Sequence, residues 1–223
     1  MGGLPAVKSV VLLSGGLDSA VCLGCAVRDG QVVLALTFDY GQLAAPREIE
    51  AAAALAAHYG VTHQVVALPF LAAITTTGLV TGEDIPEPEV ARLDDQEEAT
   101  ARAARVWVPN RNGIFLNIAA AFAEHLGAAA VVAGFNREEA AAFPDNSAAF
   151  VAAATEALRY STRGRVRVVS YTQQLTKVEI VELGRRLGVP LKLVWSCYRG
   201  GETMCGRCES CQRFLRAVAA AKV

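Results

Sequence analysis

Ser14-Gly15-Gly16-Leu17-Asp18-Ser19 is the stretch whose reading decides the fold. In front of it runs Val7-Lys8-Ser9-Val10-Val11-Leu12-Leu13, an apolar, β-branched segment that reads as a buried strand. Behind it, Asp18 to Val27 is largely apolar and long enough for a helix, with Gly30 placed to end it. A strand, a glycine-rich turn and a helix together make an anion site. Glycines let the backbone approach a ligand, and the free N–H groups and dipole of the helix start attract negative charge. Ser14 and Ser19 add hydroxyl donors. The stretch has neither the Gly-Lys-Ser/Thr of the mononucleotide P-loop nor a G-x-G-x-x-G pattern. A plain strand-to-helix turn would explain the two glycines but not the serines and aspartate beside them.

Outward from this loop the chain alternates strand and helix. Val32 to Phe38 reads as a second strand, Pro46 to Tyr59 as an alanine-rich helix with Glu48 and Glu50 in its first turns, and Val61 to Leu68 as a third strand. Short βαβαβ connections predict an α/β fold, a doubly wound, Rossmann-like parallel sheet whose ligands sit at the carboxyl ends of strands. Thr75 to Arg105 breaks the pattern with Pro86, Pro88 and the acidic run Asp94 to Glu98. It reads as an excursion over the site, the acidic run being a solvated face. A helix over Ile114 to Leu126, a strand over Ala129 to Ala133, a helix over Ala148 to Tyr160 and a strand over Val166 to Ser170 follow. Asp145, Asn146 or Ser147 is placed to cap the helix that starts at Ala148. Thr176 and Glu179 have capping-box spacing at the start of the last helix of this part.

Composition narrows the class. The chain of 223 residues is 53% hydrophobic and 19% charged, enough for one buried core with a small appendage. A net charge of −1 gives no global basic field for nucleic acid. The first strand starts too early to leave room for a signal peptide, and Glu124 and His125 interrupt the most apolar stretch. Six cysteines without a secretory signal read as thiols or metal ligands in the cytoplasm.

Four of them form the pattern C-x7-C-x2-C-x2-C at Cys197, Cys205, Cys208 and Cys211. Zinc takes tetrahedral thiolate ligation, and Cys205-Gly206-Arg207-Cys208 supplies a tight knuckle for two ligands; an iron–sulfur cluster would accept the same four. With no open position evident, the site reads as structural. Cys22 and Cys25 share one apolar face of the first helix and read as core. His58, His63 and His125 are scattered and read as structural.

The loop resembles the PP-loop of ATP-pyrophosphatases, which hold the β- and γ-phosphates and cleave ATP between the α- and β-phosphates. Over nearly the whole chain the pattern resembles the 7-cyano-7-deazaguanine synthase family. The resemblance rests on the loop, Phe38-Asp39-Tyr40-Gly41-Gln42, Val108-Pro109-Asn110-Arg111-Asn112, Phe143-Pro144-Asp145, Leu175-Thr176-Lys177-Val178-Glu179, Ser196-Cys197-Tyr198 and Cys205-Gly206-Arg207-Cys208-Glu209-Ser210-Cys211. Leu43-Ala44 and Glu139 to Ser147 depart from the family's usual residues. The resemblance implies an adenine nucleotide alpha hydrolase-like domain over 1–195 and a zinc-binding segment with a helix over 196–223. It implies a cytoplasmic, commonly homodimeric, zinc-containing enzyme that converts 7-carboxy-7-deazaguanine, ammonia and ATP to 7-cyano-7-deazaguanine.

Site residues follow from the same resemblance. Leu13 to Ser19 hold the nucleotide with Phe38, Tyr40 and Gln42, and Asp18 helps to hold Mg2+. Lys177 and Arg111 neutralise phosphate or the substrate carboxylate. Asn112 and Gly134 border the substrate, and Glu138, Glu139 or Asp145 reads the guanine-like base through its adjacent imino N–H and amine. The rival readings are a PP-loop tRNA-thiolating enzyme, which wants a catalytic cysteine and a basic surface, and a zinc-ribbon binding module with an inactive nucleotide domain. Arg159, Arg163, Arg165 and Arg167 read as a solvated turn and edge strand rather than as an RNA surface.

Overall fold

The structure, a computed structural model, describes residues 7–222. Residues 1–6 and 223, the outer limits of the expected division into 1–195 and 196–223, lie outside the described residues. The order is β1 (Val7–Leu12), α1 (Leu17–Asp29), β2 (Gly30–Asp39), α2 (Ala45–His58), β3 (His63–Ala67), α3 (Pro69–Ala73), α4 (Gly78–Thr81), α5 (Gln96–Arg105), α6 (Arg111–His125), β4 (Ala130–Val132), α7 (Arg137–Ala140), α8 (Ala148–Ser161), β5 (Arg167–Val169), α9 (Lys177–Arg186) and α10 (Glu209–Ala220), with three short 3-10 turns.

The five strands form one parallel sheet in the order β3-β2-β1-β4-β5. β1 is central and apolar on both faces. Val10 enters the core shared with α6 and α8, and Val11 enters the core shared with α1 and α9. Burial on both faces explains its β-branched run without polar alternation. The chain winds from β1 to one edge through β2 and β3, then returns to the other side of β1 through β4 and β5. The switch point therefore lies between the carboxyl ends of β1 and β4, where crevices open in such sheets. Both the loop Ser14–Gly16 and the segment Gly134–Asn136 leave the sheet there.

Two glycines permit the close packing at that point. Gly15 has φ +78°, and a Cβ on it would stand 2.7 Å from the carbonyl oxygen of Glu48. A Cβ on Gly134 would stand 2.7 Å from the backbone N of Ser19. Neither position admits a side chain, so β1, α1, α2 and β4 converge on one loop.

The excursion over 75–105 is more ordered than its sequence suggests. It holds α5, capped by Asp95, whose carboxylate accepts from the backbone N of Glu98 at 3.0 Å. Arg102, buried on this helix, donates to the carbonyl of Leu93 at 3.0 Å and to Glu209 of α10 at 3.2 Å. The acidic run is the solvated face expected, Asp94 to Glu97 being exposed, and from that surface Asp94 also accepts from Arg216 at 2.6 Å. No helix among the described residues is long and apolar enough to cross a membrane.

Candidate active site

The loop after β1 opens into a cavity of about 280 Å3 between the carboxyl ends of β1 and β4. α1 begins at Leu17 with Gly16 at its capping position, and no side chain among the described residues caps it. Its first N–H groups are left for a ligand. The two loop serines hold each other, Ser14 Oγ standing 3.1 Å from Ser19 Oγ, and Ser14 Oγ accepts from the backbone N of Gly16 at 3.3 Å. These hydroxyls and amides are neutral donors in one concave turn, which suits a polyphosphate.

Lys177 stands at the start of α9, where the capping box of Thr176 and Glu179 fixes the entry of the helix. Its ammonium contacts Asp18 and lies 2.6 Å from Glu139. Asn136 donates to the same Asp18 oxygen, Oδ2, at 3.2 Å, while Asp18 Oδ1 is buried with no hydrogen-bond partner among the described residues. Burial raises the Asp18 carboxyl to about 6 against the pull of Lys177. Burial also raises Glu139, but the Lys177 ammonium and its hydrogen bond outweigh it and hold that carboxyl below its ordinary value. Burial opposes the charge on Lys177, yet the two carboxylates keep it above its usual range, so it is a cation at neutral pH. Two acids around one ammonium, with an acid oxygen to spare, leave net negative charge of the kind that attracts a further cation.

Across the cavity Arg111 begins α6, just after Asn110 in the left-handed region at φ 52°. The guanidinium donates to Tyr40 Oη at 3.2 Å and pairs with no carboxylate among the described residues. Phe115, one turn along α6, stacks on Phe38 with ring centroids 4.2 Å apart. An unpaired arginine beside aromatic rings suits an anionic, planar ligand.

Most of the residues singled out from sequence converge here. Leu13, Ser14, Gly16, Leu17, Asp18, Ser19, Phe38, Tyr40, Gln42, Arg111, Asn112, Gly134, Glu138, Glu139, Lys177 and Cys197 all line the cavity. Gly15 backs onto α2 instead. Gln42 spends its amide internally, accepting from the backbone N of Tyr40 at 2.9 Å and donating to Phe38 O and Glu48. Asp145 is half-buried outside the lining, its Oδ1 accepting from Asn146 at 3.3 Å, and burial raises its carboxyl. Ser147, among the three residues placed to cap α8, accepts from the backbone N of Phe150 at 3.1 Å. Glu48, Tyr198, Glu209 and Arg213 also line the cavity, and sequence reasoning gives them no role there. Tyr198 lies in a motif that carries the resemblance, whereas nothing local marks Arg213, which reaches the site from the far end of the chain.

The four C-terminal thiols meet behind the cavity wall. The Sγ atoms of Cys197, Cys205, Cys208 and Cys211 lie within 4.8 Å of one another. A tetrahedral zinc thiolate needs sulfurs about 3.8 Å apart, so the set fits zinc with modest closure. The segment is tied to the loop, because the backbone N of Trp195 donates to Gly15 O at 2.9 Å. Cys22 and Cys25 are buried in the core as expected, and burial pushes the Cys22 thiol up to about 12, far from a nucleophile's range.

A serine–glycine–aspartate loop at the switch point of a parallel sheet defines the class as a PP-loop enzyme. A solved structure titled as a 4-thiouridine synthetase–RNA complex with bound ATP shares the fold, with a TM-score of 0.51 at 18% identity over 98% of this chain and 54% of that one. The family model described as "Queuosine biosynthesis protein QueC" matches residues 8–222, and the chain belongs to that family. A 7-cyano-7-deazaguanine synthase of Pelotomaculum thermopropionicum is 61% identical over 95% of this chain and 96% of that protein. Its namesake in Desulforudis audaxviator is 60% identical over 95% of this chain and 96% of that protein.

Proposed function

We propose that the protein makes 7-cyano-7-deazaguanine from 7-carboxy-7-deazaguanine, ammonia and ATP. The observation that carries this reading is the joint placement of an anion loop, a buried Asp18–Lys177–Glu139 cluster and an unpaired Arg111 around one cavity, in a chain of this family. A carboxylate is a poor electrophile at neutral pH, so the acid must first be activated. Attack of the carboxylate oxygen on the α-phosphorus of ATP forms an acyl adenylate and releases pyrophosphate. Ammonia then displaces AMP and leaves the amide. Attack of the amide oxygen on a second ATP, followed by loss of AMP and two protons, gives the nitrile.

Each residue serves positioning or charge. The loop amides and the hydroxyls of Ser14 and Ser19 hold the departing pyrophosphate. Lys177 neutralises the phosphates, and Arg111, with Asn112 beside it, neutralises the acid or the α-phosphate. Phe38 and Tyr40 border the nucleotide, and Gly134 keeps the floor open. Asp18 Oδ1 supports a seat for Mg2+, which supplies charge neutralisation on the phosphates when bound. The four cysteines hold a structural Zn2+ that braces residues 195–198 against the loop. The family reading also makes the protein a cytoplasmic homodimer that binds no nucleic acid.

ATP–pyrophosphate exchange tests this reading. Exchange should require 7-carboxy-7-deazaguanine and should proceed without ammonia. Exchange that ignores this acid and responds to another carboxylate would overturn the substrate assignment and leave the adenylation chemistry.

A further inference from the structure

Five carboxylates line the cavity: Asp18, Glu48, Glu138, Glu139 and Glu209. Four are committed to cations. Asp18 and Glu139 hold Lys177, Glu138 faces Arg213 and Arg216, and Glu209 pairs with Arg102 and Arg213. Glu48 pairs with no lysine or arginine among the described residues. Its one hydrogen bond is accepted by Oε2 from Gln42 Nε2 at 2.8 Å. Gln42 is itself locked between Tyr40 N and Phe38 O, so Glu48 is aimed rather than free to swing. Burial raises its carboxyl against the pull of the Gln42 amide and of the more distant Arg111 charge, the mark of an anion whose hydration has been replaced by too few donors.

The surroundings of Glu48 have a shape as well as a charge. Tyr40 and Phe115 stand 5.9 Å apart by ring centroid, and Phe115 continues into the stack with Phe38. Phe115 and Tyr40 line the cavity together with Glu48, so the carboxylate sits in an aromatic rather than an aqueous setting. An ionised carboxylate in that setting is matched best by two adjacent N–H donors, one for each oxygen. A 7-deazaguanine shows such a pair, the ring imino N–H beside the exocyclic amine. Adenine shows an amine next to a ring acceptor, whose lone pair would face the carboxylate.

We propose that Glu48 reads the base, its two oxygens accepting from the imino N–H and the exocyclic amine of the 7-deazaguanine acid, and that this contact keeps adenine out of the acid's seat. The proposal rests on the substrate reading given above. It moves the reader from Glu138, Glu139 and Asp145 to the cavity carboxylate that makes no ion pair among the described residues.

The test compares wild type with Glu48→Gln on three substrates: the acid, its analogue without the exocyclic amine, and ATP. In the variant the new amide oxygen can still accept from Gln42, so the local fold is retained, and the melting temperature checks it. Wild type should prefer the acid over the analogue by about 10³-fold or more in kcat/KM, because a paired acceptor left empty is penalised heavily. In the variant that preference should collapse to within about tenfold and KM for the acid should rise by roughly 10²-fold, while KM for ATP stays within about twofold. Calorimetric binding of the nitrile product without ATP should weaken in parallel. An unchanged preference in the variant overturns the assignment, as does a rise in KM for ATP alone, which would place Glu48 on the nucleotide side. A wild-type preference below about tenfold overturns it without any variant. A wild type that does not use the acid at all refutes the substrate reading itself, a result separable from the other outcomes.

Discussion

Lys177→Met removes the ammonium that lies between Asp18 and Glu139 and leaves two carboxylates facing each other. The side chains of Lys177 and Asp18 are 11% and 13% exposed, so water screens the loss poorly. Breaking one partner out of a buried pair costs about 3–5 kcal/mol, most of it the stranded charge. For a chain of this length that corresponds to a fall in melting temperature of roughly 6–20 °C. The loss also has a direction in pH. Without Lys177 both carboxyls titrate in the folded protein above their unfolded values near 4, and Asp18 already stands at about 6 with the lysine in place. The folded variant then binds more protons than the unfolded chain, so its stability falls as pH rises above about 4 and through the folded values. Lys177 in wild type titrates far above this range and contributes no slope between pH 5 and 8. Melting curves of both proteins at pH 5 and pH 8 should show the larger deficit at pH 8. An equal deficit at both values, or a variant that melts within about 2 °C of wild type at pH 8, would refute the charge argument.

Two further expectations concern the loop and the metal. Asp18→Asn should lower kcat/KM for ATP by about 10²-fold or more, and the wild-type profile should rise with pH through about 6 as the Asp18 carboxyl ionises, an inflection the variant lacks; a profile with the same inflection in both would remove Asp18 from that role. Elemental analysis should find one zinc per chain without iron–sulfur absorption, and Cys208→Ala should lose the metal and several kcal/mol of stability; metal-free protein that melts with the holoprotein would show that the thiols brace nothing.

What is legible in the sequence is local. Ser14 to Ser19 reads as an anion loop because the loop, the strand before it and the helix after it are contiguous, and the cysteine spacing reads as a four-thiol cluster for the same reason. The capping box at Thr176 and Glu179 lies in four residues and forms as its spacing implies. The excursion is harder to read. The buried face of α5 is only Ala99 and Ala103 beside Arg102, which is held in an ionic network that includes Glu209, more than a hundred residues away. Asp94 reads as solvated and is exposed, but its partners Arg213 and Arg216 arrive from the last helix and leave no mark beside it in the sequence. Glu48 in the first turn of α2 reads as a residue that favours the helix dipole, and only the fold turns it toward the cavity. Asp145 draws notice through its neighbours in sequence, whereas the chain turns it toward Asn146.

The central claim, that the acid's oxygens leave on AMP, is tested most directly by isotope transfer. 7-Carboxy-7-deazaguanine labelled with 18O at both carboxylate oxygens is turned over with ammonia and ATP, and the products are weighed by mass spectrometry. The expected outcome is two AMP and two pyrophosphate per nitrile, one 18O on each AMP and none on pyrophosphate. Label appearing in water or on inorganic phosphate, or ADP in place of AMP, would contradict that route.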